Sequence, residues 1–426
     1  MSELAFSSLA VLFLAFGLLS RRIEGSLVTG PMLFAGFGIL VGPAVLGVVA
    51  LNLDNDAIHL LAEITLVLVL FSDAASIDLR QLGNDHNLPA RMLLVGMPLT
   101  IVLGTLAAMM MFTALGPWEA ALLAAILAPT DAALGQAVVS NRAVPVRIRQ
   151  ALNVEGGLND GIALPVVLLF AAFASATQEP GDARYWLEFA AKQVVLGPLS
   201  GVVIGFAGAK LVGLAYRRGW MTESAEGMVA LALAFGCFTA AESVHGNGFL
   251  AAFTGGMLFG NTLRQKCQYL YEFADSEGQI LVLLTFFVFG AVMFPLALPD
   301  MSPTNVVFGV LVLTVLRIIP VIIALLGTGL SATSWLFLGW FGPRGLASVL
   351  FVLLVLDESN LVHEKTVFAA AIATVLLSIA LHGMSAGVGA RAYARRAREM
   401  GECEENMPVA DEPFVPPVRR AGGVAE

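Results

Sequence analysis

The sequence predicts an all-α polytopic membrane protein of about 13 transmembrane helices, and three observations carry that prediction. Hydrophobic residues make up 58% of the 426 and charged residues only 13%, against about a quarter charged in a typical soluble domain. Mean hydropathy is +0.84. Apolar stretches of about 20 residues, enough to cross the hydrocarbon core, recur along nearly the whole chain.

In order, these stretches run at roughly 4–20, 30–49, 58–76, 91–114, 118–139, 150–172, 188–215, 222–243, 247–263, 279–297, 303–327, 332–356 and 366–390. The first has only Glu3 upstream of it. A secretory signal needs a positive n-region, so 4–20 reads as a retained first span. Alternate connections hold Arg21 and Arg22, Arg80 and Arg91, Arg142, Arg147 and Arg149, Arg217 and Arg218, and Arg264 and Lys266. Arg391, Arg395, Arg396 and Arg398 follow the last span, whereas the opposite connections hold only Arg184, Lys192 and Lys365 beside acids such as Asp54, Asp56, Asp182, Asp300 and Asp357. Basic residues stay inside, which predicts an outside N-terminus and a cytoplasmic C-terminus in a plasma (inner) membrane. Residues 1–396 form the transmembrane domain, and 397–426, acidic and Pro-rich, read as a disordered cytoplasmic tail.

Other classes are excluded by composition. A formal net charge of −9 leaves no basic stripe for a nucleic-acid partner. Cys237, Cys267 and Cys403 are too far apart for a metal or redox motif, and no cofactor is expected.

Two spans are interrupted. The fifth contains Ala128-Pro129-Thr130-Asp131 and the twelfth contains Phe341-Gly342-Pro343-Arg344-Gly345. A mid-helix Pro removes one backbone hydrogen bond and clashes with the preceding turn. An odd offset means that the two spans cross in opposite directions, as inverted repeats at about 1–172 and 222–390 require. Paired interrupted spans of this kind point to a transporter's midplane site. The alternative is a pair of ordinary kinked helices.

The sixth span carries Val154-Glu155-Gly156-Gly157-Leu158-Asn159-Asp160-Gly161 inside an otherwise apolar run. Each charge at such depth costs roughly 2.5–3.5 kcal/mol even on the lenient insertion scale, so it marks a wet, functional interior. Desolvation should raise the Asp160 carboxyl from about 3.9 toward neutrality, and a carboxylate titrating near cytoplasmic pH can hold either a proton or a hard cation. Asp160, Asp73, the Thr130 hydroxyl and carbonyls freed by the Pro129 break supply oxygens of the kind Na+ prefers. Asp131 sits beside the break, where it either offsets a half-helix N-terminus or binds the ion. Asn159 reads as structural support. Arg344 has no other obvious partner at its depth, so a Glu155–Arg344 ion pair is expected, and Arg317 is left without a named partner. The histidines His59, His86, His245, His363 and His382 carry no feature that selects one of them. Glycines at 201–208 and Gly255-Gly256 suit close helix packing.

Thr130-Asp131, Asn159-Asp160 and Gly342-Pro343-Arg344-Gly345, in that order, resemble the NhaP-type Na+/H+ antiporters of the monovalent cation:proton antiporter superfamily. The resemblance implies an inverted-repeat antiporter fold with two broken crossing helices, a homodimer in the lipid bilayer, and alternating access. It implies Asp160 as the shared cation/proton carrier, with Asp73 and Thr130 completing the cation site, Asp131 compensating helix ends, and Glu155 pairing with Arg344. It also implies that Asn159-Asp160 marks an electroneutral exchange of Na+ or Li+ for H+. Departures are Ala132 after Asp131, Asp73 in the third span, and Gly156 after Glu155. A K+/H+ antiporter is the alternative within the class. An intramembrane aspartyl protease using Asp131 and Asp160 is a distant one.

Overall fold

A computed structural model of the chain describes residues 3–24, 26–49, 56–77, 79, 87–176, 183–263, 268–358, 361–401 and 403–407. Arg80, Arg264, Lys266, Asp54, Asp182 and the tail from 408 lie outside the described residues. Among the described residues the regular elements are all helices, with no strand. The helices are α1 (Glu3–Glu24), α2 (Gly30–Val41), α3 (Asp56–Ser76), α4 (Asn87–Met111), α5 (Pro117–Ile126), α6 (Ala132–Val139), α7 (Val146–Ala176) and α8 (Ala183–Arg217). They continue as α9 (Glu223–Ser243), α10 (Gly248–Leu263), α11 (Gln268–Val288), α12 (Pro303–Leu313), α13 (Val315–Leu325), α14 (Ala332–Trp340), α15 (Leu346–Glu358) and α16 (Glu364–Glu399).

These helices follow the apolar stretches in order. Among the described residues, six helical segments are long and apolar enough to cross a bilayer unaided: α4, α7, most of α8, Gly278–Asp300, Pro303–Leu325 and α16. The count of 13 crossings remains a reading of the sequence. Proline sets the local irregularities. Five-residue π-helical turns at Met92–Gly96 and Phe289–Met293 directly precede Met97-Pro98 and Phe294-Pro295. Proline has no N–H and crowds the carbonyl four residues back, so the preceding turn widens.

The two expected interruptions are present. Residues 127–131 separate α5 from α6, and 341–345 separate α14 from α15. Helix α3, which carries Asp73, is held by α10. A Cβ at Gly256 or Gly260 would collide with the backbone of Phe71 or Ala75, so only glycine permits this approach. At the end of α3, Asn261 Nδ2 donates to the Ile77 carbonyl (2.9 Å) and its Oδ1 accepts from the Leu79 N–H (3.0 Å).

The start of the expected tail, as far as residue 407, differs from expectation. Helix α16 runs to Glu399 and a 3₁₀ turn follows at Glu404–Asn406. Glu405 is 1% exposed and accepts hydrogen bonds from the Ser331 N–H and the Ser334 hydroxyl, both at 2.7 Å. Arg147, at the start of α7, pairs with Glu404 at 2.6 Å. An acidic composition gave a disorder signal. The carboxylates are instead satisfied locally by a helix N-terminus and an arginine from distant parts of the chain. Burial alone would raise the Glu405 carboxyl, but hydrogen bonds from Ser334 and the Ser331 amide hold it down at about 2, below its ordinary 4.5. A depressed carboxyl contributes stability in full above its ordinary value and loses it as pH falls toward the folded one. Glu405→Gln should therefore lower the thermal midpoint in detergent at pH 7 by about 2–4 °C. Scanning fluorimetry should show the gap to wild type narrowing below pH 4.5, the ordinary carboxyl value. A gap independent of pH would contradict this docking.

Candidate functional site

The two interruptions meet. The N–H of Asp131 donates to the Pro343 carbonyl at 2.7 Å, which sets the two broken helices across each other. Crossing solves a problem that each break creates. A helix end leaves its first N–H groups and last carbonyls without partners, and each end carries about half a unit charge. Asp131 Oδ2 accepts from the Leu346 N–H at 2.6 Å and Oδ1 accepts from the Leu134 N–H at 3.3 Å. One carboxylate thereby caps the N-termini of both α15 and α6. A Cβ at Gly345 would overlap the Asp131 carboxylate, so glycine is required there.

The opposite charge sits at the end of α5. Arg344 is fully buried, and its Nη1 donates to the carbonyls of Ala128 (2.6 Å) and Pro129 (2.8 Å). Ser348 adds a hydroxyl bond to the Ile126 carbonyl at 2.8 Å. Arg344 therefore neutralises a half-helix C-terminus rather than a carboxylate.

The expected Glu155–Arg344 pair is not formed. Glu155 pairs with Arg317 of α13 at 2.7 Å, with side-chain exposures of 3% and 1%. The physical reason is that the freed carbonyls of α5 already supply negative charge to Arg344, which leaves Glu155 to the second buried base. Arg317 passes beneath the second break, where a Cβ on Gly342 would meet its guanidinium. A second arginine in an apolar span, left without a named partner, was the signal available in the sequence.

Asn159, expected beside Asp160 as its support, is placed on Thr130. Asn159 Nδ2 donates to the Thr130 hydroxyl (2.6 Å) and carbonyl (3.2 Å). One residue on, Asp160 is 8% exposed and its Oδ1 has no hydrogen-bond partner. The charges acting on Asp160 are the carboxylates of Asp73 and Asp131. Gly157 of α7 packs against Ile77 and the Asp73 carbonyl, which brings α3 alongside. Thr130, Asp131, Asn159 and Asp160 thus form one buried cluster with Asp73 half-buried beside it. Asp131 has both carboxylate oxygens on helix termini.

A small cleft with a cavity volume of about 10 Å³ reaches Thr130 and Asp131. Gly135, Val138, Leu152, Gly156, Phe341 and Pro343 line the rest of it. Ser348, Ser378 and His382 also line up behind the breaks, and no pattern in the sequence singles them out.

The sequence matches the family described as "Sodium/hydrogen exchanger, transmembrane" over residues 8–389. It is 24% identical over 267 residues to the K(+)/H(+) antiporter NhaP of Alkalimonas amylolytica, covering 62% of this chain and 45% of that one. It is 25% identical over 386 residues to Na(+)/H(+) antiporter 2 of Zygosaccharomyces rouxii, covering 86% and 48%. The chain spans about half the length of these relatives. Its fold is similar to that of the sodium proton antiporter MjNhaP1 from Methanocaldococcus jannaschii, with TM-score 0.70, 18% identity, and 92% and 99% of the two chains covered.

The buried pair can be tested by a double-mutant cycle. Removing one partner of a buried ion pair costs about 3–5 kcal/mol, so Glu155→Gln and Arg317→Gln should each sharply reduce thermal stability in detergent. The double variant should recover much of the loss, giving a coupling larger than that between Glu155 and Arg344. Stronger coupling to Arg344 would reverse the assignment.

Proposed function

The chain belongs to the sodium/hydrogen exchanger transmembrane family, and from that membership we propose that it exchanges a monovalent cation for a proton by alternating access, with Asp160 as the shared carrier. One observation carries the reading: a buried carboxylate, with an oxygen that no protein group satisfies, stands where two broken helices cross. A carboxylate withdrawn from water must be neutralised, and either a proton or a hard cation does so. Because one site takes one or the other, moving it between the two membrane faces couples the two fluxes.

Asp73 and the Thr130 hydroxyl are the proposed further cation ligands. No group of three or more His, Cys, Asp or Glu among the described residues has the geometry of a metal site. Hydroxyl, carbonyl and water oxygens would complete the shell, which suits a weakly held monovalent ion. Asp131 and Arg344 stabilise the crossing, and Asn159 orients Thr130. The exchange is electroneutral in this reading, because Glu155, Asp131, Arg317 and Arg344 already have opposite charge or helix ends to face. Na+ is the favoured cargo; K+ is the second reading, supported by relatives named as K(+)/H(+) antiporters. We assign the protein to the plasma membrane as a homodimer, N-terminus outside.

In proteoliposomes carrying a pH gradient, adding Na+ or K+ should release protons from wild type, at a rate unchanged when the membrane potential is clamped. Asp160→Asn should lose at least about 100-fold of the activity, because its amide neither ionises nor exchanges a proton. Equal rates for the two proteins would remove Asp160 from the carrier role.

A further inference from the structure

The break between α14 and α15 separates two groups that an unbroken helix would join, the carbonyl of Trp340 and the N–H of Arg344 four residues on. Phe341 (φ −82°, ψ 53°) adopts an inverse γ-turn, and the Gly342 N–H takes one lone pair of the Trp340 carbonyl at 2.9 Å. Both separated groups are met by α16. The Arg344 N–H donates to Ser378 Oγ at 2.7 Å, and His382 Nε2 lies 2.9 Å from the Trp340 carbonyl. Ser378 and His382 are one helical turn apart, at most 1% exposed, with His382 Nδ1 at 3.1 Å from Ser378 Oγ. Trp340 is anchored to the same stripe by its indole N–H, which donates to Ser385 Oγ at 3.0 Å.

One set of proton positions satisfies every member with a neutral ring. The Trp340 carbonyl only accepts, so His382 Nε2 carries the proton. Arg344 donates to Ser378 Oγ, so the hydroxyl proton is free to point at Nδ1. A doubly protonated ring could turn its Nδ1 proton to the Ser378 carbonyl at 3.2 Å. That would place a third positive charge beside buried Arg317 and Arg344.

We propose that Ser378 and His382 are positioning residues, a two-residue bridge that replaces the helical hydrogen bond lost at the second break and holds His382 as the neutral Nε2–H tautomer. By fixing the Arg344 backbone, the bridge fixes where the Arg344 guanidinium meets the Ala128 and Pro129 carbonyls, next to Thr130. Its consequence for cation binding rests on the antiport reading above; the tautomer does not.

The test has two independent arms. In protein labelled with ¹⁵N-histidine, the His382 ring signals are identified by their loss in His382→Gln. At pH 7 wild type should show the Nε2–H tautomer alone, and Ser378→Ala should give a mixture. An Nδ1–H tautomer, an imidazolium or a mixture in wild type would overturn the bridge. In proteoliposomes, His382→Gln retains an N–H donor near the Nε2 position and should keep the KM for the cation within about twofold of wild type. His382→Ala leaves a buried carbonyl without that donor, a loss expected to raise KM about tenfold while the maximal rate holds. Identical KM values for Ala, Gln and wild type would overturn the positioning role. If wild type moves no cation at all, the antiport reading fails, and the ring signals still decide the bridge.

Discussion

A helix that stops inside a membrane leaves main-chain groups with nothing to bond to, because the hydrocarbon offers no water. Two of this protein's helices stop there. Each becomes tolerable because the other lies across it. Pro343 offers its carbonyl to the Asp131 N–H, Asp131 offers its carboxylate to the ends of α6 and α15, and Arg344 reaches back to the end of α5. Remove the crossing and both helices have uncompensated ends in an apolar medium. The proline and glycine content of the two breaks, the depth of Asp131 and the burial of Arg344 all follow from this one arrangement.

The crossing also decides which charges are available for anything else. Asp131 and Arg344 are committed to helix termini, and Glu155 to Arg317. Asp160 retains a carboxylate oxygen that the protein does not satisfy, in the neighbourhood of two other acids. A buried group in that condition is costly unless something from outside neutralises it. The proposed exchange turns that cost into a binding preference shared by proton and cation.

The remaining helices hold this centre at tight tolerances. Glycines on α10 let it lie directly on the backbone of α3 to either side of Asp73, and α7 packs on α3 beside Ile77. Behind the second break, α16 supplies side-chain partners where the main chain lost its own. At one end, the residues after α16 return to clasp the starts of α7 and α14 through Glu404 and Glu405. The elements bearing Asp160, Thr130 and Arg344 are thus tied to one another at several levels.

Much of this was legible along the chain because it is written in local chemistry. A run of apolar residues makes a span, a proline within it makes a break, and Asp160 in mid-span is conspicuous wherever its helix packs. Asn159 was legible as a polar support at the same depth, but its partner, Thr130, was not. What the chain alone left open was partnership over long separations. Glu155 and Arg317 stand 162 residues apart, and the register and rotation of α7 and α13 bring them together. Arg344 was expected to need a carboxylate, yet a row of freed carbonyls neutralised it, and carbonyl dipoles leave no mark in composition. The tail looked disordered because its acids were counted without the arginine and helix terminus that bind them. Helix formation and burial are decided by neighbours in sequence; which buried charge meets which is decided by packing, and only the folded chain holds that information.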